Sequence, residues 1–260
     1  MKSFIKNYWK TIAFFVVIGL MGGFFTGLYL LDSYPAEIRQ QFLNEVSAQG
    51  LDFMPIDMMM GVVAASQAAG YGLVLGVVGI LLSKKIGLWK DEKTFAKKPL
   101  IAAGVVSVIG GLALILLDIF FFGKYSQTIM DSYAAKPIVV FLVASVLYGG
   151  VIEEVMLRLF MMSLVAWILH KVLGKKSEKP SAGILVAANV VSAILFAAGH
   201  LPATYVLMGL TPMIIFRCFL LNGGIGLLFG WLYRKYGLRY AMIAHAGCHV
   251  ISKLIWMLWI

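Results

Sequence analysis

Seven long apolar runs constrain this chain more than any other feature. They cover roughly residues 11–31, 58–82, 99–122, 137–168, 181–207, 212–233 and 239–260, and a bilayer core needs about 20 apolar residues per helix. Hydrophobic residues make up 61% of the 260 and charged residues 13%, against about 45–50% and about 25% in a soluble domain. A soluble core of this size could not bury so much apolar surface, so the sequence predicts an integral membrane protein.

The apolar runs predict an all-α fold. In lipid each segment must satisfy its own backbone hydrogen bonds, and no run shows the alternation typical of barrel strands. We therefore predict a polytopic transmembrane bundle of about seven helices, or eight if a re-entrant piece lies near 201–211. The first run is too long for the apolar core of a signal peptide, so we expect it to be retained. The more polar stretch 33–57 predicts an interfacial helix on the outer face.

Basic residues lie in alternate loops between the runs, and this placement predicts orientation. Loops on the cytoplasmic side of a membrane are enriched in Lys and Arg, so the N-terminus should be cytoplasmic and the C-terminus outside, in a multi-pass protein of the cell membrane. The net charge of +10 therefore fits membrane topology, and we expect a lipid bilayer rather than nucleic acid as partner. The residues concerned are Lys2, Lys6 and Lys10, the lysines in 84–98 and 171–179, and Arg234, Lys235 and Arg239.

A pair of acids followed by an arginine, Glu153-Glu154-x-x-x-Arg158, lies inside the fourth run. Ionisable groups at membrane depth cost about 2.5–3.5 kcal/mol each on insertion scales and often mark functional sites. Glu154 and Arg158 are four residues apart on one helix face and can pair. Glu153 points about 100° away, so we expect it to face a cavity, where a carboxylate can act as a general base.

Histidines occupy two further runs. His200 closes the pattern Phe196-x-x-x-His200 in the fifth run, and His245 and His249 share one helix face in the seventh. A single histidine or one Glu–Arg pair in a membrane is often only a link between helices. Two acids, one arginine and three histidines on three helices favour a functional site instead.

The remaining buried polar residues are interpreted as structural. We interpret Asp118 and Arg217 as structural or membrane-edge groups, and Lys253 as a residue that snorkels or pairs. His170 should be interfacial, and Cys218 and Cys248 small buried apolar residues.

These motifs resemble those of the CPBP (CAAX prenyl endopeptidase and bacteriocin-processing, Abi) family of intramembrane proteases. The family pattern is Glu-Glu-x-x-x-Arg, then Phe-x-x-x-His, then His followed four residues later by Asn or Asp. The first two motifs match fully, and the third departs because His249 stands where the family has the amide or acid. The resemblance covers roughly 137–252. It implies a catalytic core over 137–260, with N-terminal helices and the interfacial segment over 1–136, within one membrane domain.

The resemblance implies a membrane-embedded endopeptidase that needs no cofactor. Glu153 would activate water and His200 would position it, while Glu154 and Arg158 would fix the helix geometry. His245 would bind the developing oxyanion with His249 in support, because a neutral imidazole can donate a hydrogen bond. The substrate would be a peptide or protein segment reached from the membrane or its cytoplasmic side.

Three alternatives stay open. Glu153, His200, His245 and His249 form an acceptable zinc set, although the His-Glu-x-x-His arrangement of helical metalloproteases is absent. The buried charges could instead serve an ion or solute transporter, or survive in a non-catalytic scaffold. A regular topology would also separate the acid from the imidazoles in depth by about 10–15 Å, unless tilt, a kink at Gly149-Gly150 or a break at Pro202 closes the gap.

Overall fold

The computed structural model describes residues 2–50, 53–91, 94–134, 139–174 and 177–259. These residues form helices without any strand, which confirms the all-α fold class. The α-helices are α1 (Lys2–Ser33), α2 (Ala36–Ala48), α3 (Ile56–Lys85), α4 (Lys97–Phe120), α5 (Gln127–Ala134), α6 (Val139–Ala144), α7 (Ser163–Leu173), α8 (Ala182–Met208), α9 (Pro212–Cys218), α10 (Ile225–Tyr236) and α11 (Leu238–Trp259).

Seven helical stretches in the described part of the chain are long and apolar enough to cross a membrane, as predicted, so the protein is a multi-pass membrane protein. Residues 201–208 continue α8 instead of forming a separate re-entrant piece, and the helix ends before Gly209, whose φ is +70°. The spans are Lys6–Leu31, Ile56–Lys85, Lys97–Lys124, Val139–Leu173, Ala182–Met208, Pro212–Tyr236 and Leu238–Leu258.

Wider π-helical turns interrupt two of the spans. The fourth span, Val139–Leu173, is α-helical at both ends and π-helical over Ser145–Glu153 and Val155–Met162. The sixth span contains a shorter π-helical stretch at Phe219–Gly224. Such turns change the direction in which the following side chains point, and in other proteins they often occur at functional sites.

Small residues bring the first two spans into backbone contact. A Cβ atom at Gly23 of α1 would come 2.3 Å from the carbonyl oxygen of Ala64 on α3, so only glycine fits there. Larger side chains on the opposite face of α3, such as Val63, are exposed. This division is typical of membrane helices, which pack through small residues and turn their large apolar residues to the lipid.

A hydrogen-bonded chain beside the site ties three spans together. Ser163 Oγ donates to Tyr233 Oη, and Tyr233 Oη donates in turn to Ser83 Oγ, each at 2.9 Å. All three side chains are buried. Because buried hydroxyl groups need partners in an apolar interior, this chain of hydrogen bonds fixes α3, α7 and α10, which belong to the second, fourth and sixth spans, against one another.

The polar stretch after the first span forms α2, as predicted, and none of its residues is buried against the rest of the protein. Its location at the membrane interface stays a prediction. The basic residues of the described loops lie at the opposite end of the bundle, where α3 and α7 end and α4 and α11 begin.

Candidate active site

Glu153 and Glu154 are neighbours that differ in exposure. The side chain of Glu153 is 18% exposed and that of Glu154 is fully buried. They lie where the two π-helical stretches of the fourth span meet. The predicted divergence of the two carboxylates is therefore present, and one acid points to accessible space while the other points into the protein.

The buried acid forms the predicted pair with arginine. Glu154 Oε1 lies 3.0 Å from Arg158 Nη1, and both side chains are nearly inaccessible. The other guanidinium nitrogen, Nη2, donates to the carbonyl oxygen of Gly226 on α10 at 3.0 Å. The guanidinium also lies over the rings of Phe196 and Phe229, at 4.6 and 5.4 Å from their centroids. These contacts offset part of the desolvation cost of the two charges, since Glu154 Oε2 and Arg158 Nη1 have no hydrogen-bond partner among the described residues.

His245 bridges the two acids. Its Nδ1 lies 2.9 Å from Glu154 Oε1, and its Nε2 lies 3.9 Å from Glu153 Oε2. The imidazole stacks on Phe229 at a centroid distance of 4.5 Å, which limits its rotation. A carboxylate that holds one imidazole nitrogen determines what the other nitrogen can do. Glu154 therefore orients His245 in addition to pairing with Arg158.

His200 reaches the same acid from α8. Its Nδ1 donates to the carbonyl oxygen of Phe196 at 2.8 Å, so the neutral ring carries a lone pair on Nε2. That nitrogen lies 4.0 Å from Glu153 Oε1. Each oxygen of the Glu153 carboxylate thus faces a different imidazole, one from α8 and one from α11.

The two distances from Glu153 suit a shared water molecule better than a direct contact. Hydrogen bonds between nitrogen and oxygen span about 2.7–3.2 Å, and 3.9 and 4.0 Å exceed that range. A water oxygen about 2.8 Å from both atoms fits such a gap when its two bonds meet near a right angle. The arrangement can therefore hold a water between a carboxylate and an imidazole.

The expected separation in depth between the acid and the imidazoles is absent. The sequence suggested a kink at Gly149-Gly150 or a break at Pro202 as ways to close it. Helix α8 continues through Pro202 to Met208, whereas Gly149 and Gly150 lie within the π-helical stretch Ser145–Glu153. The close approach of the acid to the imidazoles is therefore accompanied by π-helical geometry around the glycine pair, and not by a break of α8 after His200.

His249 joins the site from one turn beyond His245. The two rings stack with centroids 4.9 Å apart. A Cβ atom at Gly149 would lie 2.7 Å from His249 Nε2 and 3.8 Å from Glu153 Oε2. The absence of a side chain at Gly149 therefore lets the His249 ring pack directly against the backbone one turn before Glu153.

Lys253 was predicted to snorkel or pair, and it turns inward. It is 6% exposed, and its Nζ lies 3.3 Å from His249 Nδ1. The ammonium also lies 4.2 Å from the centroid of the Phe141 ring. The sequence offered one signal for this contact, because His245, His249 and Lys253 follow one another at intervals of four on α11.

A cavity of about 730 Å³ opens beside this end of the site. His249 and Lys253 are part of its wall, together with residues from the final turns of α1, α4 and α8. These turns lie at the end of the bundle opposite the basic loops. A volume of this size is within the range of ligand pockets and can accommodate several residues of an extended peptide.

Asp118 and Arg217 form an ion pair in the wall of this cavity. Arg217 Nε and Nη2 donate to the two oxygens of Asp118 at 2.6 and 2.5 Å. Tyr133 Oη donates to Asp118 Oδ2 at 2.8 Å. Burial, followed by the nearby Asp118 carboxylate, raises the pKa of Tyr133, so the phenol stays protonated and remains a donor. The structure thus agrees with a structural interpretation of this pair.

The other residues singled out in the sequence do not join the site. His170 lies in the last turn of α7 beside Lys171. Cys218 and Cys248 are buried free thiols on α9 and α11. Among the described residues, no three His, Cys, Asp or Glu side chains are grouped closely enough to hold one metal ion, so the arrangement gives the zinc alternative no support.

Some residues of the site were missed in the sequence. Phe229 stacks on His245, and the carbonyl of Gly226 receives the arginine. Both lie on α10, which contributes no ionisable residue to the cluster, so charge and motif spacing assigned no role to either residue. The Lys253 contact also depends on the rotation of α11, which the sequence does not specify.

Comparison with known proteins adds one match. Residues 135–251 match the family described as type II CAAX prenyl endopeptidase Rce1-like. Neither curated proteins nor solved structures gave a match. The matched region begins just before the fourth span and includes the two acids and the three histidines of the site.

Proposed function

Residues 135–251 match the Rce1-like family of type II CAAX prenyl endopeptidases, which are membrane-embedded proteases, and from this premise we propose that the chain hydrolyses a peptide bond with a water molecule activated by Glu153. The observation that carries the proposal is the position of the Glu153 carboxylate, whose two oxygens lie about 4 Å from two different imidazoles.

Water activation begins with a molecule held between Glu153 and His200. One hydrogen atom of this water is donated to the Glu153 carboxylate, and its second hydrogen atom is donated to Nε2 of His200. The Nε2 lone pair is available because Nδ1 of the same ring donates to a backbone carbonyl. The water lone pair then points to the substrate carbonyl carbon. Glu153 accepts a proton as the new C–O bond forms, which is the work of a general base.

The negative oxygen formed in this step requires donors. Glu153 and Glu154 carry two negative charges, and Arg158 supplies one positive charge. The Nδ1–H of His245 is bonded to Glu154, so this ring donates to the developing oxyanion through Nε2 when it carries a second proton. Donors placed in advance where charge develops account for much of the rate enhancement of such reactions.

Collapse of the tetrahedral intermediate completes the reaction. The proton held by Glu153 passes to the leaving nitrogen, the C–N bond breaks, and a carboxyl group and an amine are released. Atoms and charge balance without a cofactor. The surrounding aromatic rings keep the oxyanion region poor in water, which strengthens each of these hydrogen bonds.

The substrate is proposed to be a peptide or protein segment that reaches Glu153 from the bilayer or through the cavity beside His249. The sequence suggested the membrane or its cytoplasmic side. The cavity lies at the end opposite the basic loops, so under the proposed orientation, with a cytoplasmic N-terminus in the cell membrane, it opens outward. We retain the membrane route from the sequence and propose the outer cavity in place of the cytoplasmic route.

The proposed division into N-terminal helices over 1–136 and a catalytic core over 137–260 is compatible with this chemistry. All six proposed site residues lie in the second part. The cavity, however, is also lined by Tyr29, Leu114 and Asp118 from the first part. The N-terminal helices would therefore contribute to substrate binding within one membrane domain.

The close grouping of the ionisable side chains of the site favours hydrolysis over the transporter alternative. An ion path needs charges spread along the membrane normal, whereas Glu153, His200 and His245 surround one small volume. Their separations of 3.9 and 4.0 Å are within the reach of a single water. A non-catalytic scaffold could have the same geometry, but it would not cleave peptides. Only an activity measurement separates that alternative from the proposal.

The decisive experiment compares wild type with Glu153→Gln on a mixed peptide library in detergent and in proteoliposomes, with products identified by mass spectrometry. We expect cleavage to fall about 10²–10⁴-fold, the usual contribution of a general base. Glu178→Gln, at an exposed loop glutamate, is the matched control and should cleave like wild type. Equal products from wild type and Glu153→Gln would reject the proposal.

A further inference from the structure

Lys253 is a buried cation directed at a residue of the site. It lies one turn beyond His249 on α11, and its Nζ is 3.3 Å from His249 Nδ1. An ammonium group has three donors and no acceptor. With Lys253 in this charged form, the nitrogen that faces it accepts, and His249 Nδ1 carries a lone pair.

The acceptor role of Nδ1 determines the state of the rest of the ring. A neutral imidazole has one nitrogen with a proton and one without, so His249 carries its proton on Nε2. That nitrogen packs against Gly149, and a Cβ atom built there would lie 2.7 Å from it and 3.8 Å from Glu153 Oε2. An N–H donor is thus presented at the edge of the reaction centre.

We propose that Lys253 is a positioning residue that holds His249 in its Nε2–H tautomer, so that the ring donates a hydrogen bond where an amide stands in the resembling family. The inference deepens the proposed function, and its kinetic consequence rests on that function. The tautomer itself does not depend on catalysis.

The opposite tautomer would work against the reaction. With the proton on Nδ1, an N–H group would face the ammonium of Lys253, and the two donors would repel. Nε2 would then present a lone pair to an oxygen that gains negative charge. Without Lys253 the ring is free to occupy both forms, and the fraction able to donate falls.

The direct test observes the ring nitrogens. Protein labelled with ¹⁵N-histidine is measured by solid-state NMR in bilayers, and the His249 signals are assigned by their loss in His249→Asn. We expect an unprotonated Nδ1 and a protonated Nε2 in wild type, and a shift toward the other tautomer in Lys253→Met. A protonated Nδ1 in wild type overturns the proposal, whatever the variants or the peptidase assay show.

The kinetic test uses a double-mutant cycle. Lys253→Met should lower kcat about 10-fold or more at an unchanged KM, since loss of one donor to an oxyanion can cost about 10²–10³-fold. In a His249→Asn background the same change should have no further effect, because an amide does not tautomerise. An equal loss in both backgrounds would show that Lys253 acts without His249 and would overturn the proposal.

Controls separate positioning from folding. Lys235→Met removes an exposed lysine near the end of α10 and should leave kcat and the His249 spectrum unchanged. Thermal unfolding in detergent is measured for each variant, so that kcat refers to folded protein. Absence of activity in every variant, wild type included, with the expected NMR spectrum would reject the proposed function while leaving the tautomer assignment in place.

Discussion

Glu154 and His245 are 91 residues apart in the sequence, and the carboxylate Oε1 of one lies 2.9 Å from the imidazole Nδ1 of the other. The same oxygen faces Arg158. One acid is therefore committed to orienting a histidine, while its neighbour Glu153 is left to act on water. Two adjacent glutamates thus take different roles because one is enclosed and the other accessible.

Replacing Glu154 should affect both rate and stability. In Glu154→Gln the amide oxygen still accepts from His245, but no carboxylate at this position balances the charge of Arg158. Breaking a buried ion pair on one side costs about 3–5 kcal/mol, so we expect a lower unfolding midpoint and a kcat reduced at least about 10-fold. Both are measured in detergent beside Glu178→Gln, and wild-type values for the Glu154 variant would contradict the assigned role.

Gly149 should tolerate no side chain. In Gly149→Ala the new methyl group would come 2.7 Å from His249 Nε2, which is too close without a shift of the ring. We expect kcat to fall about 10-fold while the unfolding midpoint changes little. Gly70→Ala is the matched control, because a Cβ atom there meets nothing within 4 Å. Equal kcat values for Gly149→Ala and Gly70→Ala would show that the close packing of His249 against Gly149 does not matter for catalysis.

Asp118 and Arg217 should contribute to stability rather than to chemistry. Asp118→Asn leaves the partly buried Arg217 without its carboxylate, so we expect a loss of a few kcal/mol in the free energy of unfolding. Asp118→Asn combined with Arg217→Gln should cost less than the sum of the two single changes. Denaturation measured in detergent tests this, and additive losses would mean that the two residues act independently.

Chelation should leave activity unchanged. The described residues contain no group of three side chains suited to one metal ion, and His249 turns its Nδ1 to Lys253 instead. Cleavage is measured before and after treatment with a strong chelator, together with zinc content by elemental analysis. A loss of activity that added zinc restores would revive the zinc alternative.

The membrane fold was predictable because its causes are local. Apolar runs of bilayer length and the placement of lysines between them are written directly in the sequence, and all seven spans are present in the structure. The pairing of Glu154 with Arg158 was predictable for the same reason, since four residues bring two side chains to one helix face.

Relations between helices were harder to predict. The sequence offered no reason to expect Glu154 rather than Glu153 beside His245, because that depends on how far the fourth span is rotated. The π-helical stretches alter this rotation, and their widened turns leave no clear mark in hydropathy. Lys253 illustrates the same limit, since an i,i+4 relation to His249 does not say whether the pair faces lipid or protein.

Because of the two π-helical stretches, the number of residues in the fourth span determines where the Glu153 carboxylate points. In a regular α-helix each residue turns the chain by about 100°. Removing one residue between Ser145 and Glu153 would let this segment tighten toward α-helical geometry and swing the Glu153 carboxylate away from both imidazoles, with every functional side chain still present. Insertions and deletions here should therefore be as damaging as loss of the acid itself, so the spacing between residues, as well as their identity, is under constraint.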